Sequence, residues 1–517
     1  MSNLYTSPSQ FSQAIQDPRK TVYLYQNQAF QNALSTSPEK PTDWQPLGQL
    51  PPLYPEYLGD PKFKHTHQLR FAYVTGEMAN GIATPNMVIA AAKNGMLGFL
   101  GSAGLPLSAT EQHLITLNQA LPKQAWGANL IHTPQHPELE IATVDLFLKH
   151  HVKRASASAF MTLTPALVKY AYHGLTQDSQ GHILRKQHLF GKVSRVEVAE
   201  KLMLPAPEKL LQQLIIEGHL TEHETQLGRL IPVCDDITAE ADSGGHTDNR
   251  PLHVLLPSLL QLRQSLSLDN PCCKNIRIGA AGGLGTPHAV AGAFAMGAAY
   301  VLTASINQPC IESGLSDAGK QALHEATETD VMMAAAGDMF ELGVKVQVLK
   351  KRSLFAVRAN QLYDLYKRYD GIQHLPQDSV DKLNTWFQQP IESVWQETQP
   401  YLQQHNPQDL VRAEQDEKHK MALIFRWYLG LSSRWAITGE QHRSADYQIW
   451  TGPALGAFNR WVKGQYLEDL NERTVGQIGL NLMEGAAVIT RANQLKNAGF
   501  ELSAEGFEFP PRPIHLS

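Results

Sequence analysis

Two stretches of this chain hold reactive or ligand-binding groups at a spacing chemistry can use. The first is AEADSGGHTDNR, residues 239–250, which follows an apolar segment that reads as a strand. The Gly244 and Gly245 pair lets backbone approach a flat ligand closely. His246 then projects from the loop as a proton donor near neutral pH, with Asp242 and Asp248 close in sequence to orient it. The second is NIRIGAAGGLGTPHAVAGAFAMGAAYVLTAS, residues 275–305, which reads as strand, glycine loop, helix and strand. Pro287 suits the first helical turn, where a missing N–H costs nothing. A glycine loop that ends one strand and opens a helix leaves backbone N–H groups for a phosphate.

Weaker candidates sit at other predicted strand ends. Thr75, Gly76 and Met78 follow the first strand, Asn129 lies in the third and Lys192 ends the fifth. Amide and ammonium groups there would hydrogen-bond a heteroaromatic ring or stabilise negative charge on it. Cys310 follows the eighth strand without a base nearby in sequence, and reads as a packed thiol.

The elements that must position these groups alternate in type. From Leu69 onward, short apolar runs are separated by helical patterns, which argues for a parallel sheet. Eight strands are expected: LRFAYV at Leu69, MLGFL at Met96, WGANLI at Trp126, VKRASAS at Val152, HLFGKV at His188, DITAEA at Asp236, NIRIGA at Asn275 and YVLTAS at Tyr300. They predict an α/β fold, a (β/α)8 TIM barrel, whose seventh and eighth loops frequently hold a phosphate. A dinucleotide-binding GxGxxG after the first strand is absent, against an open Rossmann sheet. The expected barrel spans residues 65–330, after an N-terminal region and linker over 1–64. Residues 204–233 form a helical insertion after strand five, either capping the active site or standing as a surface hairpin. Residues 331–517 read as a mainly helical C-terminal region.

Composition narrows the class. The chain has 517 residues, 43% hydrophobic and 18% charged, with a net charge of −5, so no nucleic-acid footprint is expected. Four irregularly spaced cysteines give neither a disulfide framework nor a metal site, and a cytoplasmic setting is the simplest. Residues 278–311 carry no Asp, Glu, Lys or Arg, but glycines and prolines interrupt them, and a buried barrel unit is expected rather than a membrane span. Lys345, Lys350, Lys351 and Arg352 form a basic cluster, a solvated face or a dock for an acidic partner.

These motifs resemble those of the nitronate monooxygenase (2-nitropropane dioxygenase)/FabK-like flavin barrels. The EAGGH motif of that superfamily is similar to Asp242-Ser243-Gly244-Gly245-His246, and its AAGGI loop to Ala280-Ala281-Gly282-Gly283-Leu284. Its GVN strand corresponds to Gly127-Ala128-Asn129, and its GADxVxxGT strand to residues 297–305, ending in Ala304 and Ser305. EADSGGHTDNRP, FELGVKVQVLKKRSLFAVRANQLYDLY and DYQIWTGPALGAFNRWVKGQYLED further resemble the PfaD group, the trans-acting enoyl reductases of polyunsaturated-fatty-acid and polyketide synthases. The arginine that often follows strand eight in the superfamily is Ile306 here, and the first loop, TGEMA, is not the usual one.

The resemblance implies FMN, with its phosphate on the loops after strands seven and eight, reduced by NADPH or NADH. It implies hydride transfer to an enoyl thioester on an acyl carrier protein, with His246 as proton donor. The cofactor-binding residues it suggests are Thr75, Gly76, Met78, Asn129, Lys192, Gly244, Gly245, Ala281, Gly282, Gly283, Leu284, Ala304 and Ser305. Alternatives of the same fold are a nitronate monooxygenase and a non-catalytic flavin-containing assembly subunit. The expected partners are carrier-protein domains and the small thioester, with no nucleic acid or membrane and with room for a homo-oligomer.

Overall fold

The computed structural model describes residues 4–39, 41–134 and 136–516. Eight short parallel strands close into a barrel: β1 (Tyr73–Thr75), β2 (Leu97–Leu100), β3 (Gly127–Ile131), β4 (Arg154–Ser158), β5 (His188–Val193), β6 (Asp236–Glu240), β7 (Arg277–Ala281) and β8 (Val301–Thr303). Each predicted apolar run supplies one of them. Closure is made by β8 on β1, with Val301 opposite Tyr73 and Thr303 opposite Thr75.

Strands β4 to β7 share a period of two. Arg154, Ser156 and Ser158 face one way, as do His188, Phe190 and Lys192, then Asp236, Thr238 and Glu240, then Arg277, Gly279 and Ala281. That way is inward, because Phe190 and Ala281 pack in one cluster with Val74, Phe99 and Tyr300. The interior is therefore layered. Its middle is aromatic: Phe63, from helix Pro61–His67, stacks on Tyr300 with centroids 4.3 Å apart. Gly279 makes room, since a Cβ there would lie 2.3 Å from the Tyr300 ring.

The first residues of β4 to β7 form a charged layer at the N-terminal face. Arg277 donates to both oxygens of Asp236 at 2.6 Å, and His67 lies 2.9 Å from Asp236 Oδ2. Arg154 Nε donates to His67 Nδ1 at 3.1 Å, which makes Nε2 the protonated nitrogen that donates to Asp236. Burial holds the His67 imidazole below its ordinary pKa despite Asp236. Burial also opposes the Asp236 charge, yet Arg277 and His67 hold its carboxyl below the usual range. Such a layer on this face serves stability.

The eighth helix comes from far along the chain. A single 3-10 turn, Ser305–Asn307, follows β8. The outside of β1 is covered by helix Val475–Asn497, packed between helices Pro85–Lys93 and Pro287–Ala295. Gly479 and Gly485 permit this: Cβ atoms there would lie 2.6 Å from Met96 Sδ and from Pro287 Cγ. The helix buries residues around its whole circumference, as a helix covered on all sides must. Its other face meets the N-terminal sheet, where Phe11, Ile15 and Leu24 share a core with Ala492, Leu495 and Phe500.

The insertion carries helices Glu208–Ile216 and Glu222–Gly228. It joins the helix after β5 to the start of β6 and packs on Tyr172, whose hydroxyl donates to Ile231 O at 3.1 Å. Tyr172 ends its own barrel helix, so the insertion lies toward the N-terminal face and does not cap the mouth.

Ser243–Thr247 and Leu315–Gly456 form a second compact unit, and the rest of the chain the first. In the second unit an antiparallel sheet orders Gly245–His246, Lys345–Leu349 and Val331–Ala335. Helices Phe355–Arg368 and Glu417–Thr438 pack around a core that includes Phe340, Phe425 and Tyr428. Among the described residues, no helix is long and apolar enough to cross a membrane.

Candidate active site

The C-terminal ends of β3 to β6 carry a polar layer inside the first unit. Lys192 Nζ lies 3.0 Å from Glu240 Oε1 and 3.0 Å from Glu77 Oε1, the latter reaching in from the loop after β1. Ser156 and Ser158 donate to the same Glu77 oxygen at 2.8 and 2.9 Å. Asn129 Nδ2 donates to Ser158 Oγ and to Ser156 O, each at 3.0 Å. Glu77 Oε2 is buried and has no partner among the described residues.

Burial disfavours the Lys192 ammonium, but Glu240 and Glu77 outweigh it and hold the amine above its ordinary range. Burial likewise opposes the Glu77 charge, and Lys192 overcomes it, so its carboxyl stays below the usual range. The sequence suggests that Lys192 offers its charge to a ligand. In the structure two carboxylates already share that charge, so the ammonium works as the centre of a fixed cluster.

Beside this layer, β7 ends at Ala281 and turns through Gly282 and Gly283, at φ +85° and +72°. Residues with side chains rarely adopt that region. A Cβ on Gly282 would lie 2.7 Å from the Ala241 carbonyl carbon, whereas one on Gly283 would meet nothing within 4 Å. Leu284 is buried, and Thr286 caps helix Pro287–Ala295 by accepting from Ala289 N–H. Pro287 stands in the first turn, as expected. The loop thus offers turned backbone with an open side at a helix start, which fits a phosphate. Ala304 and Ser305 follow β8 into their 3-10 turn.

Not every expected residue joins this layer. Val74 packs inward, so alternation turns Thr75 to the outer face, where its Oγ1 is buried without a hydrogen-bond partner among the described residues. Gly76 is needed for packing, as its Cβ would lie 2.5 Å from Leu302 Cδ2. Met78 is buried.

Gly244, Gly245 and His246 belong to the second unit. Gly244 is required for packing: its Cβ would come within 2.7 Å of the Thr451 backbone. Gly245 sits at φ +81° with open space around it. His246 pairs with Val346 across the sheet, and its Nε2 lies 2.9 Å from Asp338 Oδ2. Asp248 accepts from Arg195 Nε at 2.8 Å and Ser194 Oγ at 2.6 Å, and Asp242 accepts from Asn249 at 2.9 Å. Cys310 is fully buried, which pushes its thiol pKa well up and suits packing.

The enoyl reductase domain of MlnA, from the macrolactin biosynthesis cluster of Bacillus amyloliquefaciens, is 36% identical to this chain, with a TM-score of 0.82. The alignment covers 86% of this chain and 99% of that domain. The chain belongs to the PfaD-like enoyl reductases. Among synthase proteins, a polyunsaturated fatty acid synthase polypeptide of Thraustochytrium sp. is 45% identical over 448 residues, 85% of this chain and 30% of the relative. Polyketide biosynthesis protein PksE of Bacillus subtilis is 45% identical over 437 residues, 84% of this chain and 56% of that protein. The chain thus spans less than two thirds of either synthase relative. Residues 369–447 match the [acyl-carrier-protein] S-malonyltransferase inserted helical domain family.

For this enoyl reductase family member, the motifs single out the glycine loop and His246 but not Glu77, Ser156, Ser158 and Glu240, which the structure gathers around Lys192. A signal was present. Polar residues recur two apart in RASAS and DITAE and stand four apart, on one face, in HLFGKV, and period two in a barrel strand marks the inward face.

Proposed function

We propose that this chain is an FMN-dependent enoyl reductase. It acts on enoyl thioesters carried in trans by an acyl carrier protein, in polyunsaturated fatty acid or polyketide biosynthesis, and draws on NADPH or NADH. The observation that carries this reading is the 36% identity across 99% of an enoyl reductase domain. The synthase relatives point to the same biosynthetic setting.

The residues fit the cofactor. Gly282 and Gly283, ahead of helix Pro287–Ala295, would hold the phosphate through backbone N–H groups, with Ala304 and Ser305 beside them. The Glu77–Lys192–Glu240 cluster and Asn129 supply fixed polar groups for a heteroaromatic ring. FMN bound there would supply hydride chemistry. His246, steadied by Asp338, is the acid that would return a proton to the α-carbon, a role worth about 10²- to 10⁴-fold.

The carrier protein is the expected partner, but the basic cluster is largely spoken for. Arg352 Nε lies 2.8 Å from Glu325 Oε2, and Lys351 donates to Glu325 O at 2.5 Å.

Purified protein should release a yellow chromophore identified as FMN. Under anaerobic conditions NADPH should bleach it, and a crotonyl thioester should restore the colour. Oxidation of nitroalkanes in air with no turnover of enoyl thioesters would replace this reading with nitronate monooxygenase. His246→Ala should keep FMN and slow product formation; unchanged turnover removes His246 from the reaction.

A further inference from the structure

A second imidazole–carboxylate pair stands on the barrel itself. β3 ends at Ile131, and the next residue, His132, donates its backbone N–H to Ser158 O at 3.1 Å. Ser158 closes β4 and is the residue whose hydroxyl holds Glu77 and Asn129. His132 is thereby pinned at the rim of the polar layer.

Its ring is fixed as well. His132 Nδ1 lies 2.7 Å from Glu140 Oε1, and Phe160 packs against the ring with centroids 4.9 Å apart. Glu140, in the first turn of helix Pro137–Lys149, is 3% exposed and also accepts from Thr133 N–H at 2.6 Å. A buried carboxylate held by two donors has one orientation, and it directs the Nδ1–H of His132 inward. Nε2 is then the nitrogen left for a ligand, and no hydrogen bond found among the described residues uses it. Catalytic and metal-bound histidines are oriented in this way by a carboxylate behind the ring.

We propose that His132, positioned by Glu140, donates a hydrogen bond from Nε2 to the carbonyl oxygen of the thioester substrate. The assignment rests on the enoyl reductase reading. Hydride addition to the β-carbon, which bound FMN would supply, would shift the C=C electron pair toward the carbonyl and gather negative charge on its oxygen. The Nε2–H bond stabilises that charge without giving up its proton. A separate acid, His246 in the reading above, then protonates the α-carbon, so one hydride and one proton complete the reduction.

The test uses full-length protein carrying FMN, reduced anaerobically and mixed with crotonyl pantetheine thioester. His132→Asn should slow flavin reoxidation about 100-fold, the usual loss of one oxyanion donor, while FMN affinity and reduction by NADPH are unchanged. The carbonyl stretch of bound butyryl thioester, which cannot be reduced, should lie at lower frequency in wild type than in the variant. Glu140→Gln keeps an acceptor for Thr133 and should fall between the two in rate and carbonyl frequency. Wild-type reoxidation rates in both variants, or a carbonyl band that does not move, overturn the assignment. Wild-type protein that no enoyl thioester reoxidises overturns the enoyl reductase reading and this assignment with it, before any variant is compared.

Discussion

Lys192 Nζ sits 3.0 Å from Glu77 Oε1 at the C-terminal end of the barrel, where burial alone would favour the neutral amine and the neutral acid. Each group keeps its charge because of the other, and Glu240 completes the cluster. A fixed polar site at the mouth is the result.

Replacing Lys192 by Met should leave Glu77 and Glu240 inside without a cation, at a cost of about 3–5 kcal/mol at pH 7. Glu77 has a lowered folded pKa, so in the wild type it adds stability above the ordinary carboxylate range and loses it as pH falls through the folded value. In Lys192→Met only hydrogen bonds such as those from Ser156 and Ser158 remain against burial, so that pKa rises. The deficit measured by urea unfolding should therefore shrink between pH 7 and pH 5. An equal deficit at both values would refute the pairing.

The two loop glycines should behave differently. Gly282→Ala meets both a positive φ and the Ala241 carbonyl, so it should lower the melting temperature of the cofactor-free protein. Gly283→Ala meets open space, so its fold penalty should stay near the roughly 1–2 kcal/mol of left-handed backbone. Its larger effect should be on FMN affinity, followed by flavin fluorescence. Tight FMN binding by Gly283→Ala would remove this loop as the phosphate cradle.

The charged layer at the opposite face predicts an acid sensitivity that a cofactor does not share. Burial holds His67 below its ordinary pKa, so the unfolded chain takes up a proton there first. The stability from neutral His67 is fully present above the unfolded value near 6.5 and is lost as pH falls below it, by at most about 1.4 kcal/mol per pH unit. His67→Gln should be less stable at pH 7 yet show a shallower decline from pH 7 to pH 5. A slope identical to wild type would show that His67 does not titrate on unfolding.

Truncation after Gly456 should destroy the barrel, not merely trim the chain. It removes helix Val475–Asn497 from the outer face of β1 and from the shared core with Phe11 and Ile15. The expected product is insoluble or lacks a cooperative thermal transition. A soluble truncated protein with a sharp transition would show that this helix is dispensable.

The barrel was legible because its eight strands are local: each apolar run is bounded by glycines, prolines or polar turns and needs no distant partner to be recognised. The glycine loop was legible for the same reason, since strand, loop and helix start are contiguous. Glu77, by contrast, lies between Gly76 and Met78 in a loop that looks ordinary until closure sets it against Lys192, on the fifth strand. Asp338, which lies beside His246 Nε2, stands 92 residues away in sequence and is brought there by the fold of the second unit.

Sequence alone determined which segments become barrel strands and where turned backbone can receive a phosphate, because periodicity and glycine conformation are properties of short segments. Tertiary structure decided which charges meet. Glu77 with Lys192 and His246 with Asp338 join across long stretches of chain. Tertiary structure also decided that the eighth barrel helix is residues 475–497. Those choices follow from burial: an exposed β1 face needs an apolar cover, and a buried ammonium needs carboxylates, wherever along the chain they are encoded.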